Sequence, residues 1–353
     1  MALTTVRPQG MGFNTGRRNL IINGAMQVAQ RGTSSTSVTS TGYHSCDRFK
    51  FVYTDAGTWT VSQSTDAPDG FANSFKVECT AAKSSLASDS RLLIIHHFEG
   101  QNLQQLKKGT SYAESLTLSF YVRTNKTGTY QVNLEDNDNI RIIGTTYTVS
   151  SANTWQKVTA TFSGDTSGVL DDDNGDSFAI HFALVAGTDN SSGAVPTSWE
   201  AKSNTDRGAG LTVNLADATS NYWQITGVQL EVGENASDFE HRSFGEELAL
   251  CQRYFQTMTK TGYMAGRGNG TTSVSDCRIP TATVLRASPT IAGGSWFMSK
   301  QDGTTLYTGS GESYSVQNVS SQGVVADISG ITNGTDNAVM VIAITDVTLD
   351  AEL

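Results

Sequence analysis

Residues 222–255 read YWQITGVQLEVGENASDFEHRSFGEELALCQRYF, and the fold turns on how this stretch is laid out. Trp223 and Ile225 share one face of a period-2 strand, whereas Val228, Leu230 and Val232 fall on the other. The pattern slips by one residue at Thr226-Gly227, which predicts a glycine-containing bulge that restores a single apolar face. After a polar turn, Ser243-Phe244-Gly245-Glu246 has the spacing of a capping box. Leu248, Cys251, Phe255 and Met258 then recur at three and four residues, the stripe of an amphipathic helix. A β-domain therefore closes here, and a smaller module hangs from the helix.

Toward the N-terminus, residues 49–53, 59–63 and 75–79 are short alternating segments, broken at Asp55-Ala56-Gly57 and Pro68-Asp69-Gly70. Leu116, Leu118, Phe120 and Val122 face one way while Thr117, Ser119, Tyr121 and Arg123 face the other, and a turn at 125–128 leads into Tyr130, Val132 and Leu134. Val158, Ala160 and Phe162, then Phe178, Ile180, Phe182 and Leu184, continue the series. About ten such strands with one helix predict an all-β fold, a two-sheet sandwich. Residues 19–28 are mixed apolar with a turn at Asn23-Gly24, 30–42 read as a polar loop, and 1–16 have no apolar periodicity. The polar stretch 187–221 is long enough for a functional loop or one wrapped against a neighbour, such as a trimer contact.

Beyond the helix, the glycine-rich residues 259–272 read as loop or edge. Strands are expected at 277–285, 295–298, 305–308, 314–319, 323–328 and 338–345, forming a smaller C-terminal β-sandwich. The last, AVMVIAIT, is apolar on both faces and should be central or covered by a partner subunit.

Composition narrows the function classes. Charged residues make up 16% of the 353, below the roughly 25% of ordinary globular chains, a profile suited to a rigid β-protein with many tight turns. The net charge of −10 argues against nucleic acid, whose backbone must be neutralised by clustered Lys and Arg. No apolar run approaches the roughly 20 residues of a membrane span, and Leu20-Ile21-Ile22 is too short for a signal peptide core. Cys46, Cys79, Cys251 and Cys277 lack C-x-x-C spacing and could pair as disulfides, whereas assembly in a cytoplasm would favour free thiols.

Catalytic motifs are absent. There is no G-x-S-x-G and no H-E-x-x-H, and His96-His97, adjacent on a strand, point to opposite faces and cannot share one metal. Glu99, Glu135, Asp136 and Glu231 are acids from which a hydrolase pair would have to be drawn, but spacing selects none. The run Asp171-Asp172-Asp173-Asn174-Gly175-Asp176 fails as an EF-hand, because Leu170 falls at the first ligand position and His181 at the twelfth. Asp171, Asp173 and Asp176 stay as candidates for a structural calcium, against the simpler role of an acidic turn. No other cofactor is expected.

Two blocks carry a family resemblance. RRNLIINGAMQVAQRGT with CDRF (Cys46 to Phe49) resembles the start, and GVQLEVGENASDFEHRSFGEELALCQRYF the end, of the carbohydrate-binding-module-like jelly roll of bacteriophage tail-fibre proteins; together they bracket residues 17–255. The resemblance implies a jelly roll within a virion protein, a homotrimer assembled in the host cytoplasm and carried on the outside of the phage tail or head. It divides the chain into an attachment arm (1–30) for other tail or virion proteins, a jelly roll (31–243), a linking helix (244–260) and a C-terminal β-module (261–353). A non-enzymatic short tail fibre recognising host surface polysaccharide is the expected function. The rivals are a head fibre, decoration or connector protein without a receptor, and a glycan depolymerase.

Sugar recognition needs exposed flat rings beside polar groups. Tyr121, on the polar side of its strand, and Trp59 and Trp199, near turns, are the candidates in the jelly roll; Trp296, Tyr307 and Tyr314 are those of the terminal module. Packing or subunit contact is the competing role for each.

Overall fold

The computed structural model describes residues 17–258, 262–269, 273–300, 305–310, 313–320, 323–329 and 339–353. Residues 1–16, and with them most of the expected arm, lie outside the described residues. The first twelve strands are β1 (Ser34–Val38), β2 (Lys50–Thr54), β3 (Thr58–Ser64), β4 (Ser74–Ala81), β5 (Arg91–Glu99) and β6 (Leu116–Thr124), then β7 (Gly128–Asp136), β8 (Arg141–Val149), β9 (Gln156–Phe162), β10 (Asp176–Ala186), β11 (Glu200–Ala201) and β12 (Tyr222–Val232). They form two six-stranded sheets, A in the order β1-β3-β4-β12-β6-β9 and B in the order β11-β8-β7-β10-β5-β2. Every pairing is antiparallel, and the chain crosses repeatedly between the sheets, as in a jelly roll. The fold is thus the expected all-β sandwich.

Between the sheets lies one core in which Trp59, Phe75, Phe120 and Trp223 from A meet Phe51, Tyr130, Phe178 and Phe182 from B, all fully buried. The bulge in β12 falls where the pattern slips: register shifts between Thr226 and Gln229, and Gly227 takes φ +61°. Trp223, Ile225, Val228 and Leu230 are consequently all at 0% exposure.

Several expectations need correction. Residues 34–38, read as part of a polar loop, form edge strand β1, whose exposed side chains erase the apolar alternation. The arm ends earlier than residue 30: Leu20 N–H donates to the Leu230 carbonyl at 2.9 Å, and Ile21, Met26 and Val28 join the buried residues, so residues 19–28 belong to the sandwich. The capping box is present, with Ser243 N–H donating to Glu246 at 3.0 Å, but the helix ends at Gln252. Phe255 and Met258 instead lie on strand β13 (Phe255–Met258).

After β13 come β14 (Gly262–Asn269), β15 (Ser273–Ile279), β16 (Thr290–Lys300), β17 (Thr305–Ser310), β18 (Ser313–Ser320), β19 (Gly323–Ser329) and β20 (Val339–Asp350). These strands join in one sheet, β17-β16-β20-β14-β15-β19-β18, with β13 also on β20. Among the described residues no second facing sheet separates, because twelve-residue β20 pairs along its length with β16 on one edge and with β14 and then β13 on the other. β20 is central, as its two apolar faces require. β14, expected as loop or edge, is an interior strand between β20 and β15; the small side chains of GYMAGRGN hid its alternation.

Where the modules meet, the two blocks of the fibre-like resemblance converge. Asn23 N–H donates to Glu247 at 2.5 Å, Arg18 and Asn19 N–H to Glu240 at 2.6 and 2.7 Å, and Arg242 to the Ile21 carbonyl at 2.9 Å. Arg48, fully buried, lies over the Tyr254 ring and pairs with Glu352. Arg31 adds Asp350 at 3.0 Å and stacks on Phe255. These residues knit a seam; their work is structural.

Candidate functional site

The outer face of sheet A carries a groove of about 220 Å³. Tyr121 stands on the polar side of β6, opposite Lys157 of β9 and Thr226 of β12. Phe71 comes from the β3–β4 loop, aimed by a turn in which Phe71 N–H donates to the Pro68 carbonyl at 3.1 Å and Gly70 takes φ +90°. Phe239 and His241 come from the extended segment after β12. There, side chains alternate: Phe239 and His241 face the groove, while Glu240 and Arg242 turn to the seam. Glu240 N–H donates to Gln229 at 2.8 Å, and Glu231 takes Ser237 N–H at 2.8 Å, which pins the segment to the sheet.

The rings touch one another. Phe71 lies 5.5 Å from Tyr121, 5.0 Å from Phe239 and 5.3 Å from His241, centroid to centroid. Asp69, Asp238, Ser119 and Lys157 complete the lining. Apolar faces bordered by carboxylates, a hydroxyl and an ammonium suit a pyranose, whose C–H face packs on rings while its hydroxyls bond the rim.

The bulge glycine sits beneath the rings. A Cβ at Gly227 would lie 2.7 Å from Phe71 Cζ and 3.0 Å from Tyr121 Cδ2. Gly227→Val is therefore expected to cost about 2–3 kcal/mol, from a left-handed backbone and overpacking, and to displace both rings. Urea unfolding and the near-ultraviolet tyrosine signal would check this; a parent-like midpoint would remove the coupling between bulge and groove.

Of the residues singled out from sequence, only Tyr121 lines the groove. Trp59 is at 0% exposure with Nε1–H donating to the Ala56 carbonyl at 2.7 Å, so its ring belongs to the core and offers no platform. Trp199 is half-buried, donates to the Ser163 carbonyl at 2.8 Å and packs on Phe178, closing one end of the sandwich. Trp296, Tyr307 and Tyr314 lie on β16, β17 and β18, and their side chains lie outside the described residues. Phe71, Phe239, His241 and Lys157 were missed; the F-x-H alternation in DFEHR was the available signal.

The acids considered for hydrolysis are each engaged elsewhere. Burial pushes the Glu135 carboxyl up, but His181 and Arg207 outweigh it and hold Glu135 well below the usual range; Arg207 is bidentate at 2.7 and 2.8 Å. Glu99 is likewise held low, against burial, by Arg253 at 2.8 and 2.6 Å. Asp136 takes Lys108, and Glu231 takes Ser237. Stretch 187–221 wraps its own sheet B rather than standing free: Gln131 Nε2 donates to the Asp206 carbonyl at 2.7 Å and Asn133 Nδ2 to that of Arg207 at 2.8 Å.

Among the described residues, no three His, Cys, Asp or Glu side chains gather to hold a metal ion. Asp171, Asp173 and Asp176 do not converge: Asp173 accepts from Gly175 N–H at 2.7 Å within the turn, and Asp176 pairs with His97 at 2.9 Å. Cys46, Cys79 and Cys251 are buried free thiols. No described helix is long and apolar enough to cross a membrane. A second cavity of about 190 Å³ lies in the seam, lined by His96, Arg242, Leu250 and Tyr254 among others.

No known family model matches the chain, and no curated protein matches it in sequence. Among solved structures, it is similar to the enzymatically active domain of bacteriophage CBA120 tailspike protein 4 at 11% identity, covering 61% of this chain and 21% of that one, with a TM-score of 0.33. A putative sugar binding protein from Bacteroides thetaiotaomicron is 13% identical over 61% of this chain and 100% of its own, at 0.33. The family 11 carbohydrate-binding module of a Clostridium thermocellum cellulosomal cellulase is 11% identical over 59% and 100%, at 0.29. Likenesses this distant carry no argument about what the groove binds.

Proposed function

We propose that this chain is a non-enzymatic bacteriophage virion protein, a short homotrimeric tail fibre that reads a host-surface polysaccharide in the Tyr121 groove. Residues 1–18 would join neighbouring tail or virion proteins, and module 261–353 would face the cell. The observation that carries the glycan reading is the convergence of Phe71, Tyr121, Phe239 and His241 with Asp69, Asp238 and Lys157 on one open face. The phage assignment draws on the two fibre-like blocks, whose residues meet at the seam. Three weak sites on one trimer gain avidity without stronger contacts.

Adsorption of the labelled protein to a panel of bacterial cells tests this. Tyr121→Ala is expected to weaken binding at least tenfold, about 1.4 kcal/mol per site. Undiminished binding by Tyr121→Ala would move recognition away from the groove. If the parent chain binds no cells, a head fibre, decoration or connector protein takes its place.

One observation favours depolymerisation as the second reading: Asp69 and Asp238 line the same groove. Both are exposed, whereas the acid of a glycosidase is enclosed. Polysaccharide that shortens on incubation with the parent, and not with Asp69→Asn, would establish it.

A further inference from the structure

The loop 65–73, which joins β3 to β4, folds back over the outer face of sheet A. Asp66 pairs with Arg123 and accepts Trp155 Nε1–H at 3.3 Å, while Phe71 rests on Tyr121. Beneath this loop, polar atoms of β6 and β12 have no partner: Nε of Arg123, Oε1 of Gln224 and Oγ1 of Thr226. Gln224 pairs with Arg123 across the ladder, and Thr226 with Tyr121, so the three atoms sit beside the Tyr121 ring on one face. Gln224 is 2% exposed and Thr226 0%, and the Gln224 amide nitrogen is already used on Ser64 at 3.3 Å. Native structures pair nearly all such groups, so three unpaired atoms side by side call for an occupant. A donor N–H, an amide acceptor and a hydroxyl that does either are the complement of sugar hydroxyls.

Resting on the reading of the groove as a sugar site, we propose that this site continues beneath the loop 65–73 onto a floor of Arg123, Gln224 and Thr226. The loop is then a flap that swings aside to admit an oligosaccharide. One sugar stacks on Tyr121 and Phe239, which stay in place, and the next ones reach the floor. The latch is weak by construction, because the Asp66 side chain is 44% exposed and an exposed ion pair is readily exchanged for water. Beyond the latch, a Cβ at Gly70 would meet nothing within 4 Å, so the loop tip faces open space and the rings around Phe71 are its remaining hold. Trp155, freed from Asp66, adds a ring at the far end.

The test uses the full chain on a glycan array printed with free monosaccharides and with bacterial O-antigen and capsular oligosaccharides. Thr226→Val and Gln224→Met keep side-chain size and remove the unpaired atom. Each is expected to lose about tenfold or more on oligosaccharide spots, to keep any monosaccharide signal, and to unfold at or above the parent's Tm. Asp66→Ala, with the latch removed, is expected to associate faster with the same oligosaccharides. Parent-like oligosaccharide binding by both floor variants overturns the floor, and an unchanged or slower association rate for Asp66→Ala overturns the flap. If instead the parent binds no spot, or Tyr121→Ala binds as the parent does, the groove reading itself falls.

Discussion

Arg48→Ala is expected to lower the stability of the chain by roughly 3–5 kcal/mol. The guanidinium is fully enclosed, 3.4 Å above the Tyr254 ring centroid, donating to the His97 carbonyl at 2.7 Å and to the carboxylate of Glu352, itself only 5% exposed. Removing the cation leaves that buried carboxylate with the longer contact to Arg31, at 3.4 Å, and the loss exceeds what the pair contributes. The double variant Arg48→Met, Glu352→Leu should therefore lose less than Arg48→Ala alone, since apolar groups of similar size tolerate the same burial. Urea unfolding followed by tryptophan fluorescence measures all three proteins. A loss under about 1 kcal/mol for Arg48→Ala would mean that water reaches the pair.

Acid is the second large perturbation. Burial, assisted by the positive charge of Arg48, holds the His96 imidazole well below its ordinary range, and burial lowers His97 despite its bond to Asp176. The unfolded chain takes up these protons near pH 6.5, whereas the folded chain resists them. Stability is thus fully present above about pH 6.5 and falls as pH drops. Each histidine contributes a slope of up to about 1.4 kcal/mol per pH unit, until the folded group itself titrates. His96→Gln should flatten the profile of urea midpoint against pH between about 6.5 and 5 by one proton. An unchanged slope would show that His96 is protonated in the folded state. Arg48→Ala should also flatten it, by removing the charge that depresses His96.

The bulge at Gly227 and the central place of β20 were legible because both are statements about which face a side chain occupies, and strand periodicity encodes faces directly. The same rule placed Tyr121 on the open side. It also held the correction for Trp59, which shares its face with Val61 and therefore with the core; proximity to a turn was the weaker signal. The helix was overextended because Phe255 and Met258 fit a helical stripe by spacing alone, although a strand begins at Phe255. β5 was not picked out because RLLIIHHFE is apolar on both faces: Leu93 and Ile95 pack outward against Ala179, Ala183 and Leu211 rather than against water. The groove as a whole could not be read from the chain. Phe71, Tyr121 and His241 lie on a loop, a strand and an extended tail, and only the closure of sheet A by β12 brings them together.

β13 leaves the sandwich beside the returning end of β20, Phe255 pairing with Asp350 and Met258 with Val347. The terminal sheet is therefore mounted on three strands, because the start of β16 pairs along the other edge of the same end of β20, Thr290 with Asp350 and Ile291 with Leu349. Arg31 and Arg48 hold Asp350 and Glu352 from one side, and Arg286, between β15 and β16, donates to the Asn174 carbonyl of the jelly roll at 2.6 Å. A module exchanged for the residues between Met258 and Val347 would have to supply a strand in place of the start of β16 and a partner for Asn174. A single recombination event can therefore change this module when the incoming segment meets both contacts.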